Sequence, residues 1–394
     1  MNPTILNTNI QEFIDNHLKS DLTKLLFKGT PFNTVETKDI IEQIDAKKRC
    51  EKKLPTWFNT ANIYYPNKLN IEQTSSETTA KYKSSLIHGS SIIDLTGGFG
   101  VDCFYFSKVF KTVTHCEINK SLSSIVHYNY KQLIINNIET FCDDGIVYLS
   151  KSNKTYDWIY LDPSRRHDSK GKVFFLNDCL PNVPKHLDLL FEHTKNILIK
   201  TSPLLDLSVG INELSTVKTV HIVALNNEVK ELLWVLEKNY TGELSVETLN
   251  IKKDKVETFS TSLVKSSNLY SDCNYQLPLD FLYEPNAAIL KSGAFSDVAL
   301  QLKLNKLHKH THLYTNNKLV EFPGRRFKIE KIINYNKKTV RALNIKKANI
   351  TIRNFPERVE DIRKKFKIKD GGTDYLFFTT NMNNEKIVIL AKPA

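Results

Sequence analysis

Ile92-Ile93-Asp94-Leu95-Thr96-Gly97-Gly98-Phe99-Gly100-Val101-Asp102 is the stretch that decides the fold. An apolar strand ends in a carboxylate, and a glycine turn then opens a helix. Ligands of open α/β sheets bind beyond the carboxyl ends of the strands, where such a turn lets backbone approach closely. Working outward, Glu117 closes the next apolar run, TVTHCEI, 23 residues after Asp94. An acid at that place can hydrogen-bond ribose hydroxyls. Asp143 and Asp144 follow the short run ETFC at the same sheet edge. Three acids at successive strand ends suit a nucleoside rich in donors and make a poor lining for a pyrophosphate. No GxxxxGK[ST] loop occurs in this stretch.

Around that turn, apolar runs alternate with amphipathic stretches from about residue 71 to 263. The runs are SIIDL (91–95), TVTHCEI (112–118), DWIYLD (157–162), KNILIK (195–200) and TVHIVAL (219–225). Segments such as SLSSIVHYNYKQLIIN (121–136) and EVKELLWVLEKN (228–239) read as the helices between them. Continuous apolar strands separated by helices predict a parallel sheet covered on both faces. ELSVETLNI and VETFSTSLV lack an intervening helix and read as an antiparallel hairpin at the sheet edge. Residues 1–70 read as helical, in NIQEFIDNHLKSDLTKLLF and in TKDIIEQIDAKKRCEKKLPTW, which Pro55 stops. The expected divisions are 1–70, helical; 71–265, the sheet domain; 266–322, a small mixed unit; and 323–394, short strands around the helix ERVEDIRKKFK. The last two strands, DYLFFTT and EKIVILAK, meet at the turn NMNNE.

The net charge of +12 is concentrated. Residues 301–394 hold 22 Lys and Arg against 8 Asp and Glu, a balance of +14, while the first 300 residues carry −2. That concentration is the electrostatic footprint of a polyanion-binding module, and RNA is the expected partner. Arg325, Arg326, Arg353 and Arg358 interleave with Phe322, Phe327 and Phe355, which suits a surface that tracks a backbone and stacks bases. Core packing is the competing reading of the aromatics.

No apolar run approaches the roughly eighteen residues that span a bilayer. The N-terminus lacks the basic start and apolar stretch of a signal peptide. Six scattered cysteines with no CxxC pair argue against a zinc site and a secreted disulfide framework. A cytoplasmic protein is therefore expected, with no metal and no membrane partner. His308, His310 and His312 alternate in LHKHTHL, but no Cys, Asp or Glu adjoins them, so they are not read as ligands.

The segment 71–262 resembles a class I S-adenosylmethionine-dependent methyltransferase. The resemblance implies that the glycine turn (Asp94, Thr96, Gly98, Gly100) wraps the methionine part of S-adenosyl-L-methionine, that Glu117 holds the ribose and that Asp143 contacts the adenine. The family often has glycine where this chain has Thr96. Asp162-Pro163-Ser164-Arg165-Arg166 follows the strand DWIYL, where amino-methyltransferases carry Asp-Pro-Pro and an aromatic residue. There the motif orients the target amine toward the methyl group, so Asp162, Pro163 and Ser164 are the implied catalytic residues. Ser164 departs from the pattern. Arg165 and Arg166 suit a phosphate or a guanine edge, or a salt bridge at the sheet edge. Neither DPSRR nor Lys200-Thr201-Ser202-Pro203 offers the thiolate that carbon methylation of a pyrimidine needs. Nitrogen methylation is thus favoured.

EQTSSE (72–77), KLPTW, KTSPLLD, FPGRR (322–326), RNFP (353–356) and GGTDYLFFTT extend the likeness along the chain. Together they resemble the Bacteroidetes-type bacterial methyltransferases with a C-terminal THUMP-like domain. EQTSSE would sit over the cofactor. The implied fold class is α/β: a Rossmann-like class I methyltransferase sheet, an N-terminal helical segment, and small C-terminal α+β domains, ferredoxin-like and THUMP-like. THUMP domains serve RNA-modifying enzymes, so the family implies methylation of a base in rRNA or tRNA. The other readings are a degenerate methyltransferase fold that only binds RNA, and a methyltransferase acting on protein or a small molecule.

Overall fold

Apolar residues at helical spacing build the N-terminal segment, forming α1 (Thr8–Asn16), α2 (Leu22–Lys28) and α3 (Thr37–Lys53). Asp21 separates the first two by capping α2, its carboxylate accepting from the N–H groups of Thr23 (3.0 Å) and Lys24 (3.2 Å). Ile5, Ile10, Ile14, Leu25, Ile40 and Ile44 form the core between them. Pro55 ends α3 and opens α4 (Pro55–Asn59), where a missing N–H leaves nothing unsatisfied. Then come α5 (Lys68–Gln73) and α6 (Glu77–Leu86).

The computed structural model describes residues 1–165, 175–263 and 273–394. The chain divides into two compact units, one of Met1–Lys218 with Leu233–Thr241, the other of Thr219–Leu232 with Gly242–Ala394. In the first, β1 (Ser91–Asp94), β2 (Thr112–Cys116), β3 (Ile138–Phe141) and β4 (Trp158–Leu161) precede two short strands, β5 (Ser164–Arg165) and β6 (Cys179–Leu180), and then β7 (Asn196–Thr201). The five longer strands run parallel in the order β7-β4-β1-β2-β3. Helices α7 (Val101–Phe106), α8 (Lys120–Gln132), α9 (Gly145–Lys151), α10 (Val183–His193) and α11 (Leu207–Leu214) are spaced among them along the chain. Nearly every side chain of β1 and β4 is buried, which is why these strands read as unbroken apolar runs. With β1 central, its carboxyl end lies at the crevice where such sheets take ligands.

One expected helix is a strand. Residues 228–239 hold β9 (Glu228–Glu237), following β8 (Val217–Leu225). Asn226 and Asn227 take φ of 48° and 66°, the two-residue turn that sends a strand straight back. Leu232, Leu233, Trp234 and Leu236 are all buried, so this apolar run belongs to a strand covered on both faces. The expected hairpin is present: β10 (Leu244–Ile251) pairs antiparallel with β11 (Val256–Leu263) and parallel with β8.

The rest of the second unit is built on one further sheet. Its strands are β12 (Phe281–Pro285), β13 (Asn305–Lys306), β14 (Tyr314–Asn316), β15 (Gly324–Asn334), β16 (Asn349–Arg353), β17 (Tyr375–Thr380) and β18 (Lys386–Pro393). They lie in the order β13-β14-β12-β15-β18-β17-β16. Helices α12 (Ala287–Ser292) and α13 (Phe295–Gln301) follow β12, while α14 (Lys337–Ala342) and α15 (Val359–Phe366) flank β16 in sequence. Val340 of α14 and Ile362 of α15 pack with Leu376, Phe378 and Val388 on one side of the sheet. Phe327, Phe377 and Ile389 face the other side, with Leu307 and Leu313.

Candidate active site

After Asp94 the chain must turn sharply to start α7, and Gly98 and Gly100 permit it with φ of +54° and +76°. Glu117 then fixes the turn. Its two oxygens accept from the N–H groups of Gly98 (2.9 Å) and Asn119 (2.7 Å), so one carboxylate joins the turn to the end of β2. The third acid arrives by close packing. A Cβ on Gly145 would stand 2.3 Å from the Leu95 carbonyl oxygen, so only glycine lets the start of α9 rest against the turn. Asp144 caps that helix through Ile146 N–H (2.8 Å) and Val147 N–H (3.1 Å). Asp143 is half-buried beside it and accepts from Asp144 N–H at 2.8 Å.

Asp94 itself is 2% exposed. Its carboxylate accepts from Thr96 N–H (2.8 Å), the Thr96 hydroxyl (3.1 Å) and the Cys103 thiol (3.4 Å). Burial pushes its pKa up to about 7, against the opposing pull of the Thr96 N–H. Asp94 therefore shapes the turn from beneath. The departure at Thr96 has a structural reason: while donating to Asp94, its hydroxyl accepts the N–H of Asp162 at 2.7 Å. One side chain thus ties the glycine turn to the Asp162-Pro163 corner.

Asp162 is half-buried and paired with Lys200, at the end of β7. Pro163 is buried, while Ser164 is exposed in β5, where it pairs with Leu180 of β6. Arg165 pairs with Cys179. Arg166 lies outside the described residues. Sequence reasoning missed Lys200; the signal available was a lone cation at the end of an apolar strand.

A second layer also went unrecognised. Ser75 donates to Asp102 (2.9 Å), as does the Tyr160 hydroxyl (2.9 Å), and the wholly buried Lys83 binds both Ser75 (2.9 Å) and Asp102 (3.2 Å). Buried Glu77 accepts from Thr56 N–H (2.6 Å), the Thr56 hydroxyl (2.7 Å) and the Tyr105 hydroxyl (2.7 Å). EQTSSE and KLPTW are thereby fastened to α7, directly behind the turn.

In the second unit the arginines brace the sheet. Buried Glu284 takes Arg325 Nε at 2.7 Å and an Arg353 guanidinium nitrogen at 2.8 Å, while Arg326 reaches Glu321 at 2.8 Å. Phe322 and Phe327 are 4% and 1% exposed, so these rings pack in the core and present no face to a base. Among the described residues no cluster of three or more His, Cys, Asp or Glu is placed to hold a metal ion. No helix among them is long and apolar enough to cross a membrane.

A parallel sheet in this order, with a glycine turn after its central strand and acids after the next two, defines a methyltransferase-type fold. The chain is similar throughout to a candidate methyltransferase of Porphyromonas gingivalis W83, a member of the Bacteroidetes, at a TM-score of 0.89 and 28% identity, covering 100% of this chain and 99% of that one. A family described as THUMP domain-like matches residues 324–393, and a ferredoxin-like domain family matches residues 281–323. An rRNA methylase of Streptococcus thermophilus matches 41% of this chain and 94% of its own, at a TM-score of 0.30 and 14% identity. No curated protein matches the chain.

Proposed function

We propose that the chain is an S-adenosylmethionine-dependent methyltransferase that methylates a nitrogen of a base in RNA, in the cytoplasm. The observation that carries the reading is the Thr96 hydroxyl, which joins the glycine turn to Asp162 at 2.7 Å and so couples a cofactor cradle to an amine-orienting corner. The donor and acceptor set fits the cofactor. Each Glu117 oxygen takes one N–H, and a carboxylate offers about four lone-pair sites, so acceptors remain for two ribose hydroxyls. Asp143 stands at the next strand end for the adenine amine. When bound, the cofactor supplies an electrophilic methyl group. The chain's own part is positioning: the Asp162-Pro163-Ser164 backbone and carboxylate accept from the target amine, and Lys200 fixes the carboxylate's direction.

Residues 301–394, with a balance of +14, are the RNA-capturing part on this reading. The same reading assigns 1–70 as a helical prelude, 71–265 as the catalytic domain, 266–322 as ferredoxin-like and 323–394 as THUMP-like. One observation favours a second reading, a fold kept only for binding RNA: Ser164 faces solvent in a two-residue strand where the family's motif meets its substrate.

Calorimetric titration with S-adenosylhomocysteine separates the two. Micromolar binding is expected, weakened about 30- to 150-fold in Glu117→Ala, which loses charge-assisted hydrogen bonds of about 2–3 kcal/mol. Absence of binding to the wild type would overturn the catalytic reading.

A further inference from the structure

Among its described residues, the second unit holds a cluster of cations with too few carboxylates. Glu284, 3% exposed, is shared by Arg325 and Arg353, two positive charges on one negative. Lys306 is equally buried at 3%, yet no carboxylate pairs with it among the described residues. Its ammonium meets the Lys309 carbonyl at 3.3 Å and lies 5.7 Å from the centre of the Phe295 ring. His312 stacks on that same ring, with centroids 3.5 Å apart. Two of the cluster's polar atoms, His312 Nδ1 and Arg353 Nε, are buried without a hydrogen-bond partner among the described residues.

These groups are brought together by the fold. The turn from β13 to β14 is pinned to the ends of β16 and β17: the Thr311 hydroxyl donates to the Thr380 carbonyl (2.7 Å), and His308 Nδ1 meets Asn354 Nδ2 (3.0 Å), next to Arg353. Arg353 pairs in register with Thr379. Burial, with the positive charge of Lys306, His310 and Arg353 facing it, holds the His312 pKa down to about 4.

A buried donor without an acceptor costs about 1–3 kcal/mol, and an uncompensated buried charge costs more. Burial lowers the Lys306 pKa, and a ligand that supplies negative charge would offset the remaining cost. A tetrahedral oxyanion meets the need, since it can accept from a guanidinium edge, an ammonium and an imidazole at once. We propose that Lys306, His312 and Arg353 form a phosphate-binding site, with Glu284, itself paired with Arg325, holding the Arg353 guanidinium in place, and that its occupant is a phosphate of the RNA backbone. The proposal rests on the reading that this unit captures RNA, and it locates one contact within that capture.

The test uses the full chain and a short single-stranded RNA, with binding read by fluorescence anisotropy across a salt series. Lys306→Gln and Arg353→Gln should each weaken binding about tenfold and lower the log–log salt slope by about one, while Lys19→Ala, an exposed lysine of the first unit, should change neither. Because buried substitutions can unsettle the fold, histidine ring resonances of the unaltered protein give a second reading. The His312 signals, assigned by their loss in His312→Gln, should shift on adding the RNA and on adding inorganic phosphate. RNA binding with His312 unmoved and both glutamine variants at wild-type affinity would overturn the site while leaving RNA capture intact. A shift with inorganic phosphate but none with RNA would overturn the nucleic-acid occupant. No RNA binding by the wild type would overturn the capture reading and this site with it.

Discussion

Replacing Thr96 by valine keeps the side chain's shape and removes one oxygen. That oxygen donates to Asp94 at 3.1 Å and accepts from Asp162 N–H at 2.7 Å. The bond to the carboxylate is the stronger kind, about 1.5–3 kcal/mol, and the neutral one contributes about 1 kcal/mol. The Asp162 N–H would also be left beside a methyl group. A loss of about 3 kcal/mol is expected. For a unit of roughly 200 residues this lowers the melting temperature by about 6–12 °C. On the proposed reading, the transition to follow is the one that added S-adenosylhomocysteine should raise. Thr96→Ser restores the oxygen and should recover most of the difference, at the cost of one methyl group. Affinity for S-adenosylhomocysteine should fall in the valine variant and return in the serine variant, because the turn loses its tie to Asp162 and keeps only the Thr96 N–H bond to Asp94. If Thr96→Val melts within about 1 °C of the wild type and binds as well, the hydroxyl does not hold the two motifs together.

Asp94 and His115 make opposed contributions to stability over neighbouring pH ranges. Burial raises the Asp94 pKa from 3.8 to about 7, so its contribution is complete below pH 4 and is lost as pH climbs through 7. Burial lowers the His115 pKa from 6.5 to about 4, so stability falls as pH drops from 6.5 toward 4, by up to about 3 kcal/mol. Urea midpoints across pH 4–8 should therefore rise with pH more steeply in Asp94→Asn than in the wild type, and less steeply in His115→Gln. Asp162→Ala should abolish methyl incorporation into RNA while S-adenosylhomocysteine affinity stays within a few-fold; surviving turnover would remove Asp162 from the amine-orienting role. Gly145→Ala should destabilise the first unit by several kcal/mol, since its Cβ would meet the backbone oxygen of Leu95 at 2.3 Å; near-normal melting would show that α9 can move away from the turn.

The parallel core was legible because β1 and β4 are buried on both faces, leaving unbroken apolar runs between turn signals. The three acids were legible for a similar reason: each sits where a strand stops, and the connection after it is short. The strand at 228–237 was misread because a doubly covered strand and a buried helix look alike in composition. The decisive sign was two asparagines, Asn226 and Asn227, whose tolerance of positive φ makes the hairpin. Lys200, Ser75, Lys83 and Thr56 escaped notice because their partners lie between 8 and 38 positions away in sequence, and pairing over such distances has no local pattern. Phe322 and Phe327 look like stacking residues until the sheet buries them.

The ferredoxin-like match stops at residue 323 and the THUMP-like match begins at 324, yet no structural seam lies there. Strand β12 pairs with β15 through five residues in register, from Phe281 opposite Lys328 to Pro285 opposite Gly324. Cutting at the junction would therefore expose two raw sheet edges, each a template for unwanted strand addition. The two segments are not portable parts. A fragment meant to fold alone, or a chimera that borrows the basic C-terminal end, has to begin upstream of Phe281 and take both together. For the same reason their amides should exchange with solvent as one cooperative block, although sequence families count them as two.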